Sequence, residues 1–292
     1  MKITMTAAVG AAGLALTLMA NAKQGKLYMG SEDGTTPRWA TAADFDGSIL
    51  FCRGYYGSDR HEANGSGWFT DYPGADQNFL TRLSELTEVH VRFDQNRIPF
   101  YVVVRLDDPA LLYKCPVLFM SDVGTARFTS EDVRVLKGYF ERGGFLWVDD
   151  FWGDAAWDQW IDQIREVLPS GLYPMEDITP DHSIFHQLYD VKGGIWQQST
   201  IGIWNGGVCT EFAGDECLPQ QGVTSERGDE TRTPHFRGIL DERGHTIVVM
   251  SHNTDIADGW EEEKPENQEY INEFSAKSYA LGINIFLYAL TH

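Results

Sequence analysis

Short apolar runs alternate with stretches of helical periodicity along most of the chain, and their order predicts an α/β sheet. The clearest unit lies between Cys115 and Gly153. Residues 117–120 form an apolar run of buried-strand length. Thr129 or Ser130 then stands where a helix cap is needed, with Glu131 and Asp132 in the first turn. Val133, Leu136, Tyr139 and Phe140 recur at helical spacing, and Gly143 and Gly144 end the helix. Residues 145–148 are a second apolar run, which stops at Asp149 and Asp150. Strand, helix and strand of this size form a right-handed parallel unit. Ligands of such sheets sit outside the carboxyl ends of the strands. Asp122, Asp149 and Asp150 fall there.

The flanking pattern extends the sheet. Residues 48–53 read as a first strand, 75–86 as a helix, 89–93 as an alternating strand and 100–105 as another apolar strand. Residues 109–113 suit one helical turn, and 155–168 a helix burying Trp157, Trp160, Ile161, Ile164 and Val167. Residues 169–235 are rich in Gly, Pro, Asp and Thr and carry little periodicity beyond a short helix near Ser183. Residues 236–240 and 246–250 read as paired strands around a turn, and 276–290 as the last helix. The expected fold is a doubly wound, mostly parallel α/β sheet, in one domain spanning residues 47–292.

Composition sharpens the picture. Of the 292 residues, 42% are hydrophobic and 13% aromatic, enough for a substantial core. The net charge of −20 argues against binding to nucleic acid or to an anionic membrane, since both would repel it. Residues 1–22 read as a cleavable export signal: Lys2, an apolar run of small residues, then Ala20-Asn21-Ala22. The run is shorter than the ~20 residues a membrane span needs, so cleavage and a periplasmic or extracellular location are expected, with residues 23–46 as a lead-in. No later segment reads as a transmembrane span. Cys209 and Cys217 enclose a short polar loop and suit a disulfide in an oxidising compartment. Cys52 and Cys115 read as buried apolar residues.

Arg53, Asp107, Asp122, Asp149, Asp150 and His252 each follow a strand-like run, so they are expected at one rim of the sheet. Asp149, Asp150 and His252 are the candidates for catalysis or for a divalent cation, the one cofactor the acidic rim suggests. Each also has a structural reading, as a helix cap or a bonded core histidine. Arg53 is the candidate to neutralise the aspartates. Candidate ligand contacts are Tyr56, Asp71, Tyr72, Asp76 and Trp152, with Arg227, His235, Arg237, Asn253, Asp255 and Trp260 from the later loops. Tyr and Trp offer stacking surfaces for sugars, and arginines recognise carboxylate or phosphate. For the arginines an ion pair within an acid-rich chain is the alternative.

Residues 70–76, 118–124, 143–153, 224–228, 234–238 and 252–260 carry a resemblance over about residues 47–292. The chain is identified by them as a member of a bacterial family, the domain of unknown function 4159. The resemblance implies a fold similar to class I glutamine amidotransferases, which is flavodoxin-like, and no established activity. It also implies a cell-envelope protein partner, since some relatives are associated with aerotolerance-type membrane proteins carrying von Willebrand factor A domains. A similarity to trehalose-utilisation-type proteins of the same fold implies a carbohydrate ligand. Amidotransferases place a cysteine nucleophile on a strand-to-helix turn. Here that turn, residues 148–153, has neither Cys nor Ser, so glutamine hydrolysis is not expected. The expected function is that of an exported binding or assembly protein on a catalytically degenerate scaffold. The alternative is an envelope hydrolase acting on a carbohydrate or amide, assisted by a divalent metal.

Overall fold

A computed structural model describes residues 36–62, 65–206, 221–228 and 231–292. The expected export signal and the Cys209–Cys217 pair lie outside these residues. The strands are β1 (Phe51–Tyr55), β2 (Gly57–Ser58), β3 (Tyr101–Arg105), β4 (Val117–Ser121), β5 (Ala126–Arg127), β6 (Phe145–Phe151), β7 (Met175–Asp177), β8 (His235–Leu240) and β9 (Thr246–His252). The α-helices are α1 (Gly74–Leu86), α2 (Pro109–Leu112), α3 (Ser130–Phe140), α4 (Gly153–Val167), α5 (Ile201–Trp204), α6 (Asp258–Glu261), α7 (Gln268–Tyr270) and α8 (Ala276–Thr291).

Seven strands form one sheet in the order β3-β1-β4-β6-β9-β8-β7. β3, β1, β4, β6 and β9 are parallel to one another, whereas β8 runs antiparallel to β9 and β7 antiparallel to β8. The arrangement is a mixed, mostly parallel α/β sheet compatible with a flavodoxin-like doubly wound fold. Helices α1, α6 and α8 pack together, as do α2, α3 and α4. One aromatic cluster joins Phe51 and Phe119 of the sheet to Phe79 of α1, Trp260 of α6 and Phe286 of α8. Trp160 of α4 donates its indole N–H to the Met250 sulfur at 3.3 Å.

Local chemistry explains the elements. Thr129 caps α3 by accepting from the Asp132 amide, while the Asp132 carboxylate accepts from the Thr129 amide. Gly143, at φ 85°, supplies the left-handed step that ends the helix. The 89–93 stretch is not a strand, despite its alternation: Val91 and Phe93 make only isolated bridges, to Ile49 and Pro99. Its two ends pair with different segments, Val91 with the chain just before β1 and Phe93 across the turn around Asn96, so no ladder extends. The first strand begins at Phe51 and runs on to Tyr55, so Arg53 is its midpoint and not its end.

Cys52 and Cys115 form a disulfide, with Cα atoms 5.9 Å apart. This corrects their reading as unbonded apolar residues. Cys52 pairs in register with neither sulfur partner nor flanking turn: its ladder partner in β4 is Leu118, three residues beyond Cys115. Nothing in the spacing of 63 residues signals the bond.

Candidate functional site

Three neighbouring strands, β4, β6 and β9, end at the same rim because they are parallel. Each is followed or finished by a non-glycine residue in the left-handed conformation: Asp122 at φ 50°, Asp150 at φ 53° and Asn253 at φ 60°. Asp71, in the loop before α1, is a fourth at φ 63°. Asp and Asn tolerate this region better than other side chains, and such residues gather at functional sites.

The β6 end carries a β-bulge. Val148 pairs with Met250 and Phe151 with His252, so Asp149 and Asp150 together face the single residue Ser251. The bulge sends the two carboxylates to different tasks. Asp149 Oδ2 accepts from the amides of Ile256 and Ala257 at 2.8 and 2.9 Å, holding the turn that leads into α6. Its Oδ1 is buried without a partner. Burial raises the Asp149 carboxyl to about 7 against the pull of those amides. Asp150 accepts from the Trp152 indole at 2.8 Å. Burial, then Asp255, Glu226, Asp71 and Asp122, hold its carboxyl well above the carboxylate range.

Asp71, Asp150 and Asp255 each place a carboxylate oxygen within 4.8 Å of the other two. The same holds for Asp71, Asp258 and Glu261, and for Glu226, Asp255 and Asp258. These acids come from four separate parts of the chain: the loop before α1, the end of β6, residues 221–228, and the turn and helix after β9. Glu226 is fixed by the Thr200 amide at 2.8 Å, and Asp255 Oδ1 accepts from the Asp258 amide at 2.9 Å. Burial and the neighbouring acids raise Asp71, Asp255 and Asp258 in the same way as Asp150. An open cleft of about 420 Å³ leads to this cluster. Phe69, Tyr72, Thr200 and Glu262 line it together with Asp71, Asp255, Asp258 and Glu261.

The other sequence-selected residues take different places. Asp122 accepts from the Gly67 amide at 2.7 Å, and burial followed by Glu62 raises its carboxyl to about 7. His252 reaches the expected rim but not the cleft. Its Nε2 bonds the Gly153 carbonyl at 3.1 Å, and its ring lies among Phe151, Trp157 and His235. Burial lowers it to about 4. Arg53 does not neutralise the rim aspartates by contact, because it is wholly buried on Asp76 at 2.6 Å. Asp76 is therefore a core partner. Tyr56 donates to the Ser121 and Asp122 carbonyls, and Trp260 lies in the aromatic core. Arg227 pairs with Glu62 at 3.2 Å, and Arg237 pairs with Asp177 at 3.2 Å and lies over Trp157. Asn253 accepts from the Gly153 amide and donates to the Thr233 carbonyl, tying β9 to α4. Asp107 pairs with exposed Arg105 at 2.9 Å. Glu226, Asp258 and Glu261 were not singled out by the sequence as site residues. Glu226 and Asp258 do lie within the segments 224–228 and 252–260 that carry the family resemblance, and Asp258 and Glu261 stand one helical turn apart in α6.

Fold and site together define a mostly parallel α/β protein with an acidic cleft at the carboxyl rim of its sheet. The chain belongs to the family described as domain of unknown function (DUF4159), whose profile matches residues 59–290. The match starts beyond β1, although β1 lies between β3 and β4 inside the sheet. No curated protein matches the chain.

Proposed function

We propose that this is an exported cell-envelope protein that binds a carbohydrate in the cleft at the carboxyl rim. The scaffold is read as amidotransferase-like and degenerate at the nucleophile. The turn from β6 into α4 offers Asp150, Phe151 and Trp152 where a cysteine would stand. Cys52 and Cys115 are held in a disulfide. The observation that carries the reading is the cleft wall itself. Phe69 is half-buried in the cleft wall and gives an apolar face on which a sugar ring can stack, Tyr72 packs against it from the core, and carboxylates at the base accept from hydroxyl groups. A partner protein of the envelope would present the glycan or dock beside the cleft.

The test is titration of the secreted chain with a panel of envelope oligosaccharides, followed by calorimetry. Binding by at least one of them, lost in Phe69→Ala at unchanged melting temperature, is the expected result. No binding across the panel, or full binding in Phe69→Ala, would remove the reading. A hydrolase is the second reading. It is favoured by Asp150, a buried acid of raised pKa on a bulge with left-handed backbone. Product release from the same panel, abolished in Asp150→Asn, would establish it over simple binding.

A further inference from the structure

We propose that the carboxylate cluster at the base of the cleft binds a hard divalent cation of the calcium type, through Asp71, Asp150, Glu226, Asp255 and Asp258. The inference deepens the binding reading, since the ion would sit where the sugar hydroxyls arrive. Its geometry is the first support. Oxygens bound to one calcium ion at about 2.3–2.6 Å lie roughly 3–5 Å from each other. Here there are three overlapping trios, and within each the carboxylate oxygens lie within 4.8 Å of one another. Asp71, Asp255 and Asp258 each belong to two of them, so the trios form one continuous cluster.

An orphaned atom is the second, independent support. Asp258 is 3% exposed, and its Oδ2 has no hydrogen-bond partner. The Asp258 carboxylate takes part in the trio with Glu226 and Asp255, in which all three residues are buried. Buried carboxylate oxygens are normally bonded, and a buried acid beside other acids needs a counter-charge or a proton. Three basic side chains among the described residues are engaged with other acids. Arg53 is paired with Asp76, Arg227 with Glu62 and Lys264 with Glu262. A cation supplies the missing charge and accepts the free lone pairs at once.

Donor chemistry selects the kind of ion. Every donor in the cluster is a carboxylate oxygen, and His252 is turned onto the Gly153 carbonyl. Oxygen-only sets suit calcium, magnesium or manganese, whereas zinc favours nitrogen and sulfur. The donors sit on loops from four parts of the chain, and calcium tolerates such irregular, many-membered coordination better than magnesium. Binding would therefore join the loop before α1, the 221–228 segment and the turn after β9 through one set of overlapping acids.

The experiment uses the full secreted chain, dialysed against chelator and then against metal-free buffer. Calcium chloride and zinc chloride are titrated separately by calorimetry, and melting temperature is recorded with each. The expected result is saturable calcium binding with a raised melting temperature, and a weaker response to zinc. Asp258→Asn should weaken calcium binding about tenfold or more. In chelator it should melt no lower than the parent, because the amide adds no charge among the buried acids. If Asp258→Asn does not fold, Glu226→Gln serves the same comparison. Absence of a calcium response in the parent chain, parental affinity in the folded variant, or zinc binding tighter than calcium would overturn the proposal. Calcium binding without any sugar binding would remove the carbohydrate reading and leave the metal site standing. Sugar binding without calcium binding would do the reverse.

Discussion

Arg53 and Asp76 form a wholly buried ion pair, with Nη2 2.6 Å from Oδ2 and the guanidinium 5.0 Å from the Phe119 ring centre. Arg53 also donates to the Thr70 carbonyl at 2.8 Å, so the pair anchors the loop that carries Asp71 and Tyr72. Removing one partner leaves the other charged and buried. Asp76→Ala should cost about 3–5 kcal/mol, and the double change Arg53→Met with Asp76→Leu should recover much of it. Urea unfolding of the three proteins measures this. Equal losses in the single and double variants would show that the pair acts through packing alone.

The Cys52–Cys115 bond closes a loop of 63 residues. Chain-entropy reasoning assigns such a closure roughly 4 kcal/mol, with engineered examples often lower. The Cys52→Ala, Cys115→Ala double variant should unfold at lower denaturant by an amount of that order. Both cysteines are buried, at 0% and 3% exposure. Mild reductant should therefore leave the native protein unchanged and destabilise it only once unfolding exposes the bond. A rapid loss of the bond in native buffer would contradict that burial.

His252 and Asp122 give opposite pH signatures. Burial lowers His252 from 6.5 to about 4, so its contribution is complete above pH 6.5 and is lost as pH falls through 4. The loss should amount to about 2–3 kcal/mol. Burial raises Asp122 from 3.8 to about 7, so its contribution is complete below 3.8 and is lost as pH rises through 7. Denaturant midpoints should show His252→Phe flattening the acid limb and Asp122→Asn flattening the fall towards neutrality. An acid limb unchanged in His252→Phe would mean that the imidazole is not held neutral.

Asp149 is expected to act on the cation through the turn it holds. It bonds the amides of Ile256 and Ala257, which lie between Asp255 and Asp258. Asp149→Ala should weaken calcium binding by about 10–100-fold without removing a ligand. Asp149→Asn keeps one oxygen acceptor and should restore part of the affinity. Identical calorimetric affinities for Asp149→Ala and the parent would separate the turn from the site.

Much of this architecture was legible in the sequence. The apolar runs at 117–120 and 145–148, with the capped helix between them, are parallel strands β4 and β6, and the rim they define carries the site. His252 does reach that rim, since β9 is parallel to β6, but its ring turns onto the Gly153 carbonyl and does not share a crevice with the aspartates. What the pattern could not show is where side chains turn at the rim. One extra residue at the β6 bulge decides that Asp150 joins the acids while Asp149 holds amides, and period-two reasoning has no signal for it. Arg53 was misplaced because an arginine at the end of an apolar run resembles a strand terminus. The full set of acids was hidden because its members are distant in sequence and only folding converges them. The 169–235 region, with almost no periodicity, nevertheless supplies Thr200 and Glu226.

That last point gives the antiparallel strand β8 a further meaning. Because β8 enters the sheet at the rim where β9 leaves it, the chain between α4 and β8 must return to that rim before His235 pairs with His252. The sheet thus holds Asp150 in place, while the described part of the returning excursion is fixed by hydrogen bonds to the rim and to α8, among them Gln198 on Thr254, Gln197 on the Asn253 carbonyl and the Leu188 amide on Asn284. The acids of the cleft therefore come both from the sheet, as Asp150, and from this excursion, as Glu226.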